Sequence, residues 1–161
     1  ILMAARWVMG TNTLTADEAL QEILTLSKYQ EETYGYYEDT SATDTASLMR
    51  EYYKTKNVSV IGEPNVETIK QALSDGLLVI TPVDGQKVGN PNYTRPGPPR
   101  HMILIIGYDD AAGEFITNDP GTRRGKGYRY PYEKFVAAIR DYPSGKKVQG
   151  EGGKVMIVVG R

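Results

Sequence analysis

HMILIIGYDD, at residues 101–110, is followed after a short turn by EFITNDP, at residues 114–120. Two apolar runs of this length, separated by turn residues, predict the strands of an antiparallel hairpin. His101 begins the first run and Asp119 follows the second, so the hairpin would bring both side chains to the same edge of a sheet. The two segments therefore predict a sheet and place a pair of reactive side chains at its edge.

His101 is the only histidine in the chain, and a nearby carboxylate would give it a chemical role. A carboxylate that hydrogen-bonds an imidazole and stabilises its charged form is part of the catalytic triad of many hydrolases. Neighbouring strand residues face opposite sides, so only one of Asn118 and Asp119 can point at His101, and either could orient the ring. A less specific interpretation is a histidine that merely ends a strand, beside an Asn-Asp-Pro-Gly turn.

The chain contains no cysteine, so it has no thiol nucleophile, no disulfide and no thiolate metal site. No Gly-x-Ser-x-Gly turn indicates a serine nucleophile. A single histidine leaves no pair for a helical zinc motif, and no glycine-rich phosphate loop ends in Lys-Ser or Lys-Thr. We therefore expect neither a metal nor an organic cofactor.

Helical signals dominate the first half of the chain, where residues 15–18 have the form of a capping box. The signals predict a helix closed by Gly10 and a second helix that carries Leu20, Ile23 and Leu24 on one face. A tyrosine-rich loop over 30–42 follows. After it the signals predict a helix over 43–57, a strand over 58–61 and a helix between Asn65 and Gly76.

Strand signals dominate the second half. They predict a strand over 77–80 ended by Pro82, a long loop over 83–100 rich in proline and glycine, strands over 102–108, 114–118 and 128–130, a helix from Pro131 to Ile139 and a strand over 154–159. Helices followed by an antiparallel sheet indicate the α+β class. No break in composition divides residues 1–161, which we interpret as one domain.

Arg123, Arg124, Lys126 and Arg129 form a basic cluster after the second hairpin strand. The cluster could bind a carboxylate or a phosphate, or could be an ordinary solvated loop. The net charge of -1 gives no indication of nucleic acid or an anionic membrane as a partner. No run of about 18 apolar residues occurs, so no membrane span is predicted.

The segments Asp75–Val83, His101–Asp109 and Ile116–Gly121, with Tyr128–Tyr132 after them, occur in a specific order. This ordered set resembles the papain-like cysteine peptidases of the bacteriocin-leader-processing type, and most closely their stand-alone bacterial peptidase-like relatives. The second segment resembles the strand with the family's catalytic histidine, and the third has the family's aspartate before a proline. The resemblance implies a papain-like α+β fold, with N-terminal helices packed on a C-terminal antiparallel sheet.

In that family the nucleophilic cysteine starts the first helix, and residues 1–10 resemble the body of that helix. The resemblance thus implies a Cys-His-Asp triad whose cysteine lies shortly before Ile1, with His101 carrying the proton and Asp119 orienting the ring. A cysteine at a helix N-terminus beside an imidazolium has a lowered pKa, so a thiolate would attack. The implied activity is hydrolysis of a peptide or amide bond, with acyl transfer left open.

The resemblance also implies a peptide or protein substrate and export to the cell envelope or the extracellular space. The alternative function is a catalytically inactive papain-like domain that binds a peptide or a cell-wall fragment. The presence of a cysteine before Ile1 would distinguish the two functions. Neither interpretation fixes the oligomeric state.

Overall fold

The computed structural model describes residues 1–11, 13–145 and 152–161, and a six-stranded sheet forms the centre of this part of the chain. The strands are β1 (Val58–Gly62), β2 (Leu78–Val83), β3 (His101–Asp109), β4 (Glu114–Asn118), β5 (Lys126–Pro131) and β6 (Val155–Val159). They lie in the order β1-β6-β2-β3-β4-β5, and all neighbouring strands pair antiparallel.

The helices are α1 (Leu2–Val8), α2 (Ala16–Tyr34), α3 (Ala42–Glu51), α4 (Val66–Ser74), α5 (Gly85–Val88) and α6 (Tyr132–Ala138). Side chains of Thr15, Ser41 and Asn65 accept hydrogen bonds from the first turns of α2, α3 and α4, which satisfies backbone donors that helices leave unpaired. The predicted capping box at Thr15 is confirmed. Within the described ranges, no helix is long and apolar enough to span a membrane.

Helices cover both faces of the sheet, and side-chain alternation along β3 assigns its residues to two cores. Ile103 and Ile105 are buried in the core formed with α4 and α6. Leu104 is buried in the other core, which contains residues of α1 and α3. The combination of separate helices and one antiparallel sheet confirms the predicted α+β class.

Two helix boundaries differ from the sequence prediction. Helix α2 continues to Tyr34, inside the predicted loop, because the left-handed residue that ends it is Gly35 (φ 78°). Helix α3 ends at Glu51, well before the predicted end at residue 57. Lys54 has a φ of 56°, which is incompatible with a continuing right-handed helix.

The strand that was expected to end at Pro82 continues through it as far as Val83. Pro82 pairs with Met102 of β3, whereas the β6 partners of this strand reach only as far as Ile80. On the side of β2 away from β3, only an isolated bridge between Val83 and Ile139 continues the pairing, and the Arg140 N–H donates to the Pro82 carbonyl at 3.0 Å. The missing N–H of proline is tolerated there because no regular strand pairs with β2 at this position.

The apolar residues predicted on one face of α2 do not form its buried face. Leu20, Ile23 and Leu24 are each about half exposed, whereas Leu26 and Gln30 are buried. Glu22, which is four residues before Leu26, accepts hydrogen bonds from Arg6 and Tyr53. The i, i+4 stripe that begins at Glu22 therefore faces the rest of the protein.

Candidate active site

The start of β3 and the end of β4 bring His101 and Asp119 together at one edge of the sheet. His101 Nε2 lies 2.7 Å from Asp119 Oδ1, which is hydrogen-bonding distance. The aspartate side chain has no solvent exposure, and 13% of the histidine side chain is exposed. The two residues that the sequence predicts as catalytic thus contact each other, and the imidazole keeps some accessible surface.

Four donors surround the Asp119 carboxylate besides Asn90. Oδ1 accepts from His101 and from the backbone N–H of Gly121 (2.8 Å), and Oδ2 accepts from the hydroxyls of Tyr93 and Tyr130, each at 2.6 Å. Burial alone would raise the pKa of Asp119, but the hydrogen bonds from His101, Tyr130 and Tyr93 together hold that pKa well below its usual range. Asp119 is therefore an anion at neutral pH.

Asn90 extends this network. Its side-chain amide donates to Asp119 Oδ2 at 3.2 Å and to the Tyr130 hydroxyl at 2.7 Å. Because the Tyr130 oxygen accepts this bond, its own proton can be donated to Asp119. Burial, and then the hydrogen bond to Asp119, raise the pKa of both Tyr93 and Tyr130, so both phenols stay protonated and act as donors.

Sequence reasoning did not identify Asn90, Tyr93 or Tyr130 as part of the site. The available signal was the excess of tyrosine, with twelve residues against two phenylalanines. A buried tyrosine hydroxyl needs a hydrogen-bond partner, and a buried carboxylate at a sheet edge is such a partner. Nothing in the spacing of the sequence shows which tyrosines meet Asp119.

Two glycines allow the loop after β4 to pack closely on His101 and Asp119, the candidate catalytic pair. A Cβ atom on Gly121 would lie 2.9 Å from His101 Cε1 and 3.0 Å from Nε2. A Cβ atom on Gly125 would lie 1.8 Å from the Asp119 carbonyl oxygen. The Asp119 N–H also donates to the Gly125 carbonyl at 3.0 Å, so the loop folds back over the aspartate.

The other candidate residues lie apart from the imidazole. Asn118 Oδ1 accepts a hydrogen bond from a backbone N–H of β5 at 3.2 Å, so Asp119 and not Asn118 contacts His101. Arg129 forms an ion pair with Asp109 at 2.8 Å, at the opposite end of β3. Arg123 and Arg124 are exposed. The ion pair thus holds Arg129 away from His101, whereas Arg123 and Arg124 belong to the loop between β4 and β5.

An open cleft with a volume of about 640 Å³ lies between α1 and the sheet, next to Asp119. Most of its surface is apolar, and Lys126 is among its lining residues. It is lined by Leu2, Met3, Arg6, Trp7, Leu14, Ala19, Leu78, Leu104, Ile106, Asn118, Asp119, Pro120, Gly125 and Lys126. A cleft of this size and character can hold part of a peptide.

The direction of α1 is fixed by contacts at its C-terminal end. The carbonyl oxygen of Trp7 accepts a hydrogen bond from Arg161 Nε at 3.1 Å. Arg161 follows β6, whose Val159 pairs with Leu78 at the start of β2. That end of the sheet is opposite His101, which pairs with the last residue of β2. The N-terminal end of α1 is therefore directed towards the edge that carries His101.

The pair is arranged for proton transfer. Because Asp119 accepts at Nε2, the neutral ring carries its proton there and leaves Nδ1 as an acceptor. No hydrogen bond to Nδ1 occurs among the described residues. The same part of the chain contains no cluster of three histidine, aspartate or glutamate side chains that could hold a metal ion. The geometry suits an imidazole that accepts a proton on one side and is oriented by a carboxylate on the other.

A family model described as the Peptidase_C39 like family matches residues 3–148. The crystal structure of a candidate C39-like peptidase from Bacillus anthracis matches with a TM-score of 0.51 and 17% identity, over 76% of this chain and 60% of that one. This likeness concerns the fold, and the chain spans 60% of the length of that protein. No curated protein matches.

Proposed function

This chain belongs to the Peptidase_C39 like family, and we propose on that basis that it carries two members of a Cys-His-Asp triad. The triad would cleave a peptide or amide bond in a substrate. The observation that carries the proposal is the contact between His101 Nε2 and the buried Asp119 carboxylate at 2.7 Å. A carboxylate held as an anion against the far nitrogen of an imidazole is the arrangement that acyl-transfer triads use.

Each of the two residues would have a separate task. In the resting enzyme, His101 would accept the thiol proton at Nδ1, and the imidazolium would stabilise the thiolate. After the thiolate attacks the carbonyl carbon, the imidazolium would protonate the leaving amine, so that the C–N bond breaks and a thioester forms. His101 would then deprotonate a water molecule that hydrolyses the thioester and restores the thiol. Asp119 would hold the ring in place and balance its charge.

The nucleophile would have to come from outside these 161 residues, because they contain no cysteine. We place it shortly before Ile1, at the start of the helix that continues as α1. Two observations support this position. The N-terminal end of α1 is directed towards the sheet edge of His101, and Leu2 and Met3 line the same cleft as Asp119. A thiol at a helix N-terminus also gains from the helix dipole.

The substrate would be a peptide or a protein. The mainly apolar cleft next to Asp119 supports an extended segment with aliphatic side chains, and Lys126 among its lining residues adds one positive charge. The exposed Arg123 and Arg124 lie in the loop just before Lys126, so an acidic residue in the substrate would be favourable.

A second candidate function is a non-catalytic domain that binds a peptide in this cleft. The mainly apolar cleft next to Asp119 favours it, because such a cleft can hold a peptide without any thiol. The two functions differ in one result. A binding domain would retain its ligand without changing it, and replacing His101 would alter affinity at most.

The test is peptide hydrolysis by the natural full-length protein, measured by mass spectrometry on a proteome-derived peptide library. We expect thiol-dependent cleavage that iodoacetamide and His101→Ala each abolish, and that Tyr132→Phe retains, because the Tyr132 hydroxyl bonds to Asp110 at the opposite end of β3. Full cleavage by His101→Ala would contradict the proposed mechanism. Binding of peptides without cleavage by the unmodified protein would support the second function instead.

A further inference from the structure

The loop between α5 and β3 places one tyrosine against both members of the pair. The Tyr93 hydroxyl donates to Asp119 Oδ2 at 2.6 Å. The Tyr93 ring meets the His101 ring edge to face, with the centroids 5.5 Å apart and an angle of 78° between the planes. Tyr93 is 8% exposed, so its ring also covers the pair from solvent.

We propose that Tyr93 is a positioning residue of the active site, which fixes the Asp119 carboxylate and shields the His101–Asp119 hydrogen bond from water. The catalytic part of this inference rests on the function proposed above. The part that concerns the geometry of the imidazole does not, because it can be observed in a protein without activity.

Contacts within its own loop hold Tyr93 in place. Its N–H donates to the Asn90 carbonyl at 3.1 Å, and the Asn90 side-chain oxygen accepts from the N–H of Asn92 at 2.9 Å. A Cβ atom on Gly97 would lie 3.4 Å from Tyr93 Cδ2, and one on Gly121 would lie 3.0 Å from Tyr93 Cε1. The Tyr93 ring is thus enclosed by two backbone segments. It connects the loop between α5 and β3 to His101 and Asp119.

Tyr130 makes a similar bond from a different position. Its hydroxyl also donates to Asp119 Oδ2 at 2.6 Å, but its ring lies in the core, 5.4 Å from the centroid of Phe135. Tyr130 belongs to β5, and its hydroxyl oxygen also accepts a hydrogen bond from the Asn90 side-chain amide. Tyr93 has a ring contact with His101, and no such contact is made by Tyr130 among the described residues. Tyr93 therefore has two roles, a hydroxyl donor and a ring cover.

Two substitutions separate these roles. Tyr93→Phe removes the hydroxyl and keeps the ring, whereas Tyr93→Leu removes both. Tyr132→Phe is the matched control, because its hydroxyl bonds to Asp110 at the opposite end of β3. All variants are made in the natural full-length protein, and far-ultraviolet circular dichroism first establishes that each is folded.

The readout is ¹⁵N NMR of the imidazole, which is unambiguous within residues 1–161 because they contain one histidine. We expect the unmodified protein to show a slowly exchanging proton on Nε2, where Asp119 Oδ1 accepts it at 2.7 Å. Tyr93→Leu should speed that exchange at least about tenfold, because water gains access to a bond that was buried. Tyr93→Phe should speed the exchange of this proton by a smaller factor, and Tyr132→Phe should match the unmodified protein.

Kinetics supply the catalytic readout. A lost hydrogen bond to a charged group is expected to lower kcat of Tyr93→Phe on the order of tenfold, with KM changed by less than about twofold. An unchanged exchange rate of the Nε2 proton in Tyr93→Leu would overturn the positioning role. If exchange changes as expected but the unmodified protein cleaves no peptide, the positioning role stands and the proposed hydrolase function fails.

Discussion

Replacing Gly121 by alanine tests how closely the loop after β4 packs on the imidazole. The added Cβ atom would lie 2.9 Å from His101 Cε1, 3.0 Å from His101 Nε2 and 3.0 Å from Tyr93 Cε1. Gly121 does not have the positive φ that favours glycine, so the cost of the substitution comes from these three contacts. The neighbours are ring atoms held by other hydrogen bonds, and they cannot move aside as a flexible side chain would.

The magnitude follows from the distances. Carbon atoms pack best at about 3.5–4.0 Å, so the His101 ring and the loop must separate by roughly half an ångström. A movement of that size would lengthen the 2.7 Å bond from His101 Nε2 to Asp119 Oδ1 to about the 3.2 Å limit of good geometry. Overpacking of this kind costs about 1–3 kcal/mol of unfolding free energy.

Urea unfolding, followed by circular dichroism, measures this cost, and ¹⁵N NMR of His101 measures the change in the hydrogen bond. Gly62→Ala is the matched control, because a Cβ atom there meets no described atom within 4 Å and needs no unusual φ. The control should lie within about 0.5 kcal/mol of the unmodified protein. If Gly121→Ala is as stable as Gly62→Ala and leaves the imidazole signals unchanged, the packing argument is wrong.

Three further substitutions test separate parts of the structure. The pKa of Asp119 is lower in the folded protein than in the unfolded chain, so the ionised carboxylate stabilises the fold. This contribution is fully present above the unfolded pKa of about 3.9, and it is lost as the pH falls through the pKa of the folded protein. Asp119→Asn should therefore lower the unfolding free energy by about 3 kcal/mol at pH 7, and the deficit in urea unfolding should shrink below about pH 4. Asn118→Ala should leave the His101 NMR signals within the range of the unmodified protein, and a lost Nε2–H signal would refute the assignment of Asp119 as the orienting residue. Asn65→Ala should lower the unfolding free energy by about 1 kcal/mol, because α4 loses a cap that accepts from Thr68 N–H at 2.9 Å; an unchanged urea midpoint would count against that cap.

The sequence predicted the elements whose signals are local. The apolar run after His101 predicted β3, and the turn residues after Asp109 predicted the hairpin with β4 that brings Asp119 to His101. The capping box of α2 was visible for the same reason, since Thr15 and Glu18 are three residues apart. Local chemistry determines these features, so spacing along the chain is sufficient to find them.

Features that depend on distant contacts were not predicted. The buried stripe of α2 begins at Glu22 because that carboxylate meets Arg6 and Tyr53, and neither contact leaves a periodic apolar pattern. Pro82 continues β2 because β6, which is far away in sequence, does not extend beside it. The donors from Tyr93 and Tyr130 reach Asp119 from two elements well separated in sequence.

The choice between Asn118 and Asp119 also required the structure. Strand alternation showed that only one of the two could face His101, but the side of β4 that each occupies depends on its pairing. A register shift between Thr117 and Asn118 in the pairing of β4 with β5 lies immediately before the two residues. Such a local irregularity changes the direction of a side chain without leaving a signal in the sequence.

The central claim is that His101 activates a thiol that lies outside residues 1–161. The most direct test is the rate of iodoacetamide labelling of the natural full-length protein near pH 6.5, followed by intact mass and peptide mapping, with and without His101→Ala. We expect one rapidly formed adduct on a cysteine shortly before Ile1, formed at least about tenfold more slowly in His101→Ala because the thiolate fraction falls. Absence of any adduct after denaturation, or equal labelling rates in the two proteins, would contradict it.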